Sequence, residues 1–452
     1  MTEKTQPLRR KLLGHPIIQQ VLKSGVGTAF RLGSVGMGML FSIFAARIVG
    51  AEQFGIYVSL LAIATLSATA LQLGLPQLLA REIATFRAGN KRLYETGKPP
   101  TQTAHNPRIL GNITIGLVIL LALSTGVSWA FFDRQIALVT TFIALTLCTG
   151  LLGSVLFGHE RVLRGALSTD IIKPGAALLC LLILGNAIIK TADDIFLTQI
   201  FGLSVAIFGL VLMIGLRPFR QGIKHWTNKP EATASFSPIF ITGLLLAMSQ
   251  VLIGATTQVD ILILRALEAP EQVSYYFAAA RAALVVSFFF GINAAFAEPT
   301  LVRLIAEERH NEVETLAIRT ARSGLAATLV AVIATAALGP LYLSWYGEGF
   351  EQGYPALLIM LVGMMAWALF GPSQNLARAG RLDKELLWIT LFSVLINIAV
   401  SFTLVPILGL TGAAIGTTVQ YLIYGLLLYV LIRRKLGYRS SAFNRILKPS
   451  TV

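Results

Sequence analysis

Two arginines, Arg31 and Arg281, fall inside stretches otherwise apolar enough to cross a bilayer. Arg31 lies eight residues beyond Lys23, ~12 Å along a helix and too deep for easy snorkelling. An arginine near mid-bilayer costs at least ~2.5 kcal/mol on insertion scales, so something must hold it there. Its helix face reads Thr28, Arg31, Ser34, Gly38, Ser42, a small and polar face that belongs against a partner helix or a wet cavity. The other use for such a residue is structural, bonded to carbonyls. Arg281, nine residues past Gln272, poses the same choice between a functional charge and a structural ion pair. Asp260, with Thr256 and Thr257 a turn before it, is a counter-ion for an arginine, a proton or cation site, or an interfacial acid. Gln72 shares a face with Thr65 and Thr69, and Gln258 and Asn293 are further polar groups within spans. Each read singly is a helix–helix hydrogen bond. The residues to weigh for ligand contact are therefore Arg31, Arg281, Asp260, Gln72, Gln258 and Asn293.

The elements that position them are membrane helices. The 452 residues are 55% hydrophobic and 13% charged, where a soluble domain carries about 25% charged residues. Apolar runs fall at 23–49, 55–80, 109–132, 135–158, 171–190, 194–216, 238–264, 272–298, 320–346, 354–377, 384–408 and 409–432. Each is near the ~20 residues a helix needs to cross hydrocarbon, and helices satisfy their own backbone there. The fold class expected is an all-α polytopic membrane protein with about 12 transmembrane helices in two six-helix bundles. The first span leads into Arg47-Ile-Val-Gly-Ala-Glu-Gln-Phe-Gly-Ile-Tyr57, a short polar hinge. Gly339-Pro340 and Gly371-Pro372 are candidate hinges or fixed kinks, because proline removes a backbone bond.

Orientation follows from charge. Of the 37 lysines and arginines, 31 lie in alternate segments, counting the N-terminal arm, the tail and Lys173 among them, and only Arg47, Arg134, Lys190 and Arg265 lie in the others. That excess places both termini in the cytoplasm. It also explains a net charge of +15 without nucleic acid. The long loops 81–108 and 217–237 are then cytoplasmic and every outer loop is short. Helix one is too long for a signal-peptide core and is read as retained.

The chain looks duplicated. Glu52-Gln53-Phe54-Gly55-Ile56-Tyr57 is echoed by Glu271-Gln272-Val273-Ser274-Tyr275-Tyr276. Pro76-x-Leu78-x-x-Arg81 is echoed by Pro299-x-Leu301-x-Arg303, and Arg161-Val-Leu-Arg164-Gly165 by Arg378-Ala-Gly380-Arg381. The organisation expected is a basic arm (1–22), a six-helix bundle (23–216), a basic linker (217–237), a second bundle (238–432) and a basic tail (433–452). Two halves of equal topology form a parallel repeat, the arrangement of many alternating-access transporters.

Several chemistries are excluded. No phosphate-binding Gly-rich loop is present, so ATP does not drive the protein directly. There is no His-x-x-x-His, no cysteine cluster, and no Asp-Asp pair in a cytoplasmic loop; Asp193-Asp194 lies in an outer loop and reads as interfacial. Cys148 and Cys180 are small residues within spans, without metal or disulfide spacing. Glu307, Glu308, Glu312 and Glu314 read as a solvated face. A polymerase or ligase would need a sizeable outer loop, and none exists, so the chain is not read as an enzyme.

The stretch from Arg31 through "RIVGAEQFGIY" resembles the start of Wzx-type polysaccharide flippases, as do "LGLPQLLAREIA" (73–84), "LFGHERVLRGAL" (156–167) and "QVDILILRALEAPEQVSYYFAAARAAL" (258–284). That group belongs to the MATE-like multidrug/oligosaccharidyl-lipid/polysaccharide exporter superfamily. The resemblance implies two bundles around a central V-shaped cavity that opens to either side in turn. It implies a cargo of undecaprenyl-pyrophosphate-linked oligosaccharide, for O-antigen, capsule or exopolysaccharide. Arg31 and Arg281 match cavity arginines on helices one and eight that carry the pyrophosphate, a ligand suited to arginine's bidentate fork and permanent charge. It further implies a bacterial inner-membrane protein with no cofactor beyond coupling to H+ or Na+, and a polysaccharide polymerase and chain-length regulator as partners. The alternative is a cation-coupled drug antiporter, which would put acids, rather than two arginines, in the cavity.

Overall fold

The computed structural model describes residues 16–81, 83–85, 116, 123–159, 161–214 and 236–444, which hold helices, turns and no strand. The helix α1 (Pro16–Leu71) is two arms joined across Gly50, at φ 80° and ψ 171°, where the polar hinge was expected. The second arm stops short of the expected 55–80. Residues 72–74 form a turn with Leu73 at φ 47° and Gly74 at φ 67°, and helix resumes over 75–81. Pro76 is the physical cause, because it has no N–H for the Gln72 carbonyl four residues back and its ring clashes there, and Gly74 takes the positive φ without a Cβ penalty.

The chain continues through α2 (Arg134–Gly158) and α3 (Val162–Ala166), then a π-helical turn (Leu167–Ile172), α4 (Lys173–Ile188) and α5 (Ala192–Ile214). The fifth span thus starts well before the expected 171. Lys173, assigned from sequence to a loop, lies within it. Next come α6 (Phe236–Leu267), α7 (Pro270–Ala306), α8 (His310–Ser344), a 3-10 turn (Phe350–Gly353), α9 (Tyr354–Leu369), α10 (Ser373–Ala379), α11 (Asp383–Leu408) and α12 (Leu410–Lys435). Among the described residues ten helical stretches are long and apolar enough to cross a membrane, the two arms of α1 being counted as one. Most of the third expected span, 109–132, lies outside the described residues, as do most of the arm 1–22 and of the linker 217–237.

The chain groups into two compact units. The first holds residues 1–44 and 67–248, the second residues 45–66 and 249–452. In the first, Gly33 approaches Ile171, and Gly175 approaches Met37, so the first arm of α1 runs parallel to the π turn and α4. Small residues at such crossings let helix backbones close in lipid, where dispersion replaces the hydrophobic effect. The Ser168 hydroxyl donates to the Ala206 carbonyl at 2.7 Å, tying the π turn to α5. Leu75, Leu78, Leu79 and Leu151 form a core between the 75–81 segment and α2. Arg134 pairs with Asp194 at 3.3 Å, which fits the interfacial reading of the Asp193-Asp194 pair.

In the second unit the expected echo becomes a contact. The hexapeptide 52–57 packs on its counterpart 271–276. A Cβ on Gly55 would overlap the Pro270 carbonyl oxygen and come 2.6 Å from its carbon and 2.9 Å from Ser274 Oγ. Ser274 Oγ in turn donates to the Ala51 carbonyl. Phe54 is fully buried, its ring edge-on to Phe277 at 5.7 Å and near Tyr346 and Phe350. Arg47 Nε donates to the Trp345 carbonyl at 2.6 Å. At the other end of this unit, Leu301, Leu304, Val313, Ala317, Leu376, Ala377, Ile432 and Tyr438 form one apolar cluster.

The solvated face expected for the acids 307–314 holds for Glu307, Glu308 and Glu312, which are exposed. Glu314 is a correction, being buried at 9% exposure. It falls on the face of α8 that carries Val313 and Ala317 into the core. The two Gly-Pro pairs also part ways. Pro340 sits inside continuous α8, whereas Gly371-Pro372 separates α9 from α10, with Gly371 at φ 64°.

Candidate functional site

Hydroxyl groups in these helices mostly bond back to their own backbone, and therefore mark no site. Thr65 donates to the Leu61 carbonyl at 2.8 Å, Thr256 to Ile253 at 2.6 Å and Thr257 to Gly254 at 3.0 Å. The threonines beside Asp260 in sequence are thus not its partners. Its partners come from other helices.

Asp260, on α6, is 3% exposed. Its Oδ2 accepts from Thr417 Oγ1 of α12 at 2.6 Å and from the Tyr276 hydroxyl of α7 at 2.9 Å. Those two hydroxyls are themselves 2.9 Å apart. Ser401 of α11 lies 3.5 Å from Oδ1 and donates to Asn397 Oδ1 at 2.8 Å. Asn397 Nδ2 then donates to Gln420 Oε1 at 2.7 Å. Four helices meet in one buried network whose charged member has only neutral donors around it. Gly416 permits the approach, since a Cβ there would overlap Ser401 Oγ and come 2.6 Å from Asn397 Oδ1. Bonds of this kind inside hydrocarbon are worth roughly 0.6–2 kcal/mol each, and leaving a buried acceptor unpaired costs about 1–3 kcal/mol. Among the described residues, no group of three or more His, Cys, Asp or Glu side chains could hold a metal ion.

Arg281 lies on the same helix as Tyr276 but is not part of the network. Its guanidinium sits over the Phe277 ring, 4.6 Å from the centroid. Among the described residues it has no acidic partner within 4.0 Å. The structural ion pair weighed for it is therefore absent from this set, and a cation–π contact, worth ~0.5–2 kcal/mol, orients it instead. Arg31, in the first unit, is exposed on the first arm of α1.

The remaining candidates have local roles. The Gln72 amide packs against Gly150 of α2 at the turn that interrupts the second span. Asn293 Nδ2 donates to Ser323 Oγ at 2.7 Å and to the Thr320 carbonyl at 3.3 Å, joining α7 to α8. Gln258 is half-buried on α6 and does not join the Asp260 network. The residues that sequence reasoning missed are Tyr276, Asn397, Ser401, Thr417 and Gln420. Their signal was polar residues at i,i+4 on α11 and i,i+3 on α12, one face of each otherwise apolar helix.

Comparison with solved structures finds the same fold at low identity. An inward-facing multidrug resistance MATE transporter of the MOP superfamily matches with a TM-score of 0.70 at 14% identity, covering 91% of this chain and 98% of that one. The lipid II flippase MurJ, in an inward closed conformation, matches at 0.63 and 15%, covering 90% and 87%. A MOP superfamily transporter from Pyrococcus furiosus Vc1 (DSM3638), described as having a binding pocket of reverse polarity, matches at 0.60 and 13%, covering 94% and 97%. No curated protein matches in sequence. The family described as "Polysaccharide biosynthesis protein" matches residues 23–297. That is more than half of the chain, and with the MATE-like fold it identifies this protein as a member of the polysaccharide biosynthesis protein family.

Proposed function

We propose that the protein is a flippase that carries undecaprenyl-pyrophosphate-linked oligosaccharide units from the inner to the outer leaflet of the bacterial inner membrane, supplying O-antigen, capsule or exopolysaccharide synthesis. The observation that carries this reading is Arg281: a permanent cation within a membrane span, held over an aromatic ring and left without an acid among the described residues. A guanidinium so placed keeps its fork of donors for an incoming anion, and a pyrophosphate supplies matching oxygens. Arg31 is the second cation of this reading, a guanidinium exposed on the first arm of α1. The polar headgroup crosses by alternating access between two six-helix halves joined at 217–237, while the lipid tail stays in the bilayer. Both termini lie in the cytoplasm. The polymerase and chain-length regulator of the same pathway take up the product.

Coupling is assigned to Asp260. A carboxylate buried among hydroxyls and amides is costly unless a proton or a small cation compensates it, so binding H+ or Na+ there ties ion entry to the packing of α6, α7, α11 and α12. Gln72, Gln258 and Asn293 remain secondary contacts for the headgroup. The experiment is complementation of a flippase-null strain. Arg31→Ala and Arg281→Ala abolish surface polymer at normal expression, lipid-linked single units accumulate inside, and Arg→Lys restores part of the output. Normal polymer from both alanine variants refutes the reading.

A further inference from the structure

The break between α9 and α10 is covered by a segment that none of the function above uses. Past the end of α12, residues 436–444 run back across the break, and each contact they make answers a need created there. The Leu369 carbonyl, at the end of α9, accepts from the Ala442 amide at 3.1 Å. Carbonyls at a helix end have no intrahelical donor, and this one is served by the tail. Ser373, the first residue of α10, shares a hydrogen bond with Ser440 at 2.8 Å, both side chains being buried. A Cβ on Gly371 would overlap the Ser440 carbonyl and come 2.6 Å from Ala321. The tail and α8 thus both close on the break at Gly371.

The segment is also pinned along its length to α8. Arg322 donates to the Ala442 carbonyl at 3.1 Å and to the Asn444 carbonyl at 2.9 Å. The Tyr438 hydroxyl lies 2.7 Å from His310 Nδ1; burial pushes that phenol above its ordinary value, so it stays a hydroxyl. Arg439 is 3.8 Å from the buried Glu314, whose Oε1 has no hydrogen-bond partner. Tyr438 itself fills the cluster of Leu376, Ala377 and Val313.

We propose that residues 436–444 are a strap that holds the α9–α10 break in its bent form, and that the strap must leave Ser373 and Leu369 before this helix pair can straighten. A bond to the end carbonyl of one helix and another to the first side chain of the next fix the angle between them. The strap's other end is anchored on a third helix. A sharp bend of this kind is the element that absorbs φ/ψ change when a helical protein switches conformation. The coupling of the strap to transport rests on the flippase reading; the mechanical role does not.

The test uses the full-length protein in lipid nanodiscs, with Cys148 and Cys180 replaced by alanine. Ala442→Pro removes the amide that serves Leu369 and leaves the rest of the strap, since proline has no N–H. Hydrogen exchange of amides 369–376 is expected to rise about tenfold in Ala442→Pro and in Arg322→Gln. Exchange in α11 is expected to stay as in the parent. Unchanged exchange at 369–376 in both variants overturns the strap. In a second arm, Ser373→Cys with Ser440→Cys, whose native hydroxyls are 2.8 Å apart, is oxidised to the disulfide. The crosslinked protein is expected to lose headgroup transport at least tenfold and to regain it on reduction. Transport at full rate while crosslinked overturns the need for release. Absence of transport in the reduced protein counts against the flippase reading, and the exchange arm then decides the strap by itself.

Discussion

Replacing Gly55 with alanine tests whether the meeting of the two hexapeptides governs the second unit. The new Cβ would overlap the Pro270 carbonyl oxygen and lie 2.6 Å from the carbonyl carbon. An ordinary carbon contact is ~3.5 Å and the oxygen overlap is deeper than the carbon's, so the second arm of α1 and the start of α7 must part by more than about 1 Å. The obstacle is backbone at the first turn of a 37-residue helix, which cannot rotate away as a side chain would. Overpacking of this kind costs about 1–3 kcal/mol, and an obstacle made of backbone puts this site toward ~3 kcal/mol. At ~1.4 kcal/mol per factor of ten, the contact opens on the order of 100-fold more often. Val273, wholly buried beside it, is the reporter. In a background lacking Cys148 and Cys180, Val273→Cys is expected to react with an impermeant maleimide some 100-fold faster once Gly55→Ala is added. Gly36→Ala, where a Cβ meets nothing within 4 Å, is expected to leave the rate alone. If Gly55→Ala labels within twofold of its parent at an unchanged melting temperature, the contact does not set the opening equilibrium.

The other expectations concern the polar groups. Asp260→Asn keeps the shape of the network and removes its charge; melting temperature should stay close to the parent while dependence of transport on an H+ or Na+ gradient disappears. Asp260→Ala removes the acceptor that Tyr276 and Thr417 share, leaving them each other and the Ala413 carbonyl, and should cost about 1–3 kcal/mol, read by thermal unfolding. Asn293→Ala should cost about 1 kcal/mol through the lost α7–α8 bond and lower polymer output only in part, in contrast to its loss in Arg281→Ala; complementation beside a melting curve separates the two.

Periodicity and charge made most of the architecture legible. Apolar runs of the right length became helices at 134–158, 192–214, 383–408 and 410–435 within a few residues of expectation. Interruptions were harder. Pro76 and Pro372 follow breaks, with positive φ at Gly74 and Gly371, while Pro340 and Pro406 sit inside their helices; Gly339 precedes Pro340 just as Gly371 precedes Pro372, so local sequence does not tell a kink from a break. Asp260 stood out because a charge in an apolar run is conspicuous at any distance along the chain. Its partners Asn397, Ser401 and Thr417 were not legible, because a neutral side chain in a membrane helix names no partner until the helices are placed side by side. Glu314 failed for the converse reason: four acids close in sequence look alike, and only the face of α8 separates the one that turns inward.

Matched positions of a repeated motif rest on one another at Gly55 and Ser274. In an isologous two-fold interface a residue likewise meets its own copy; here the two positions belong to a single polypeptide. In a true dimer both copies mutate together, so a side chain at this point would be doubled and would have to fit itself. Within one chain that constraint is absent. One copy is free to become glycine and yield space, and the other to hold a hydroxyl that uses it. The pair then drifts only jointly: a bulkier group in either copy requires a smaller one opposite, although the two positions are separated by more than two hundred residues of sequence.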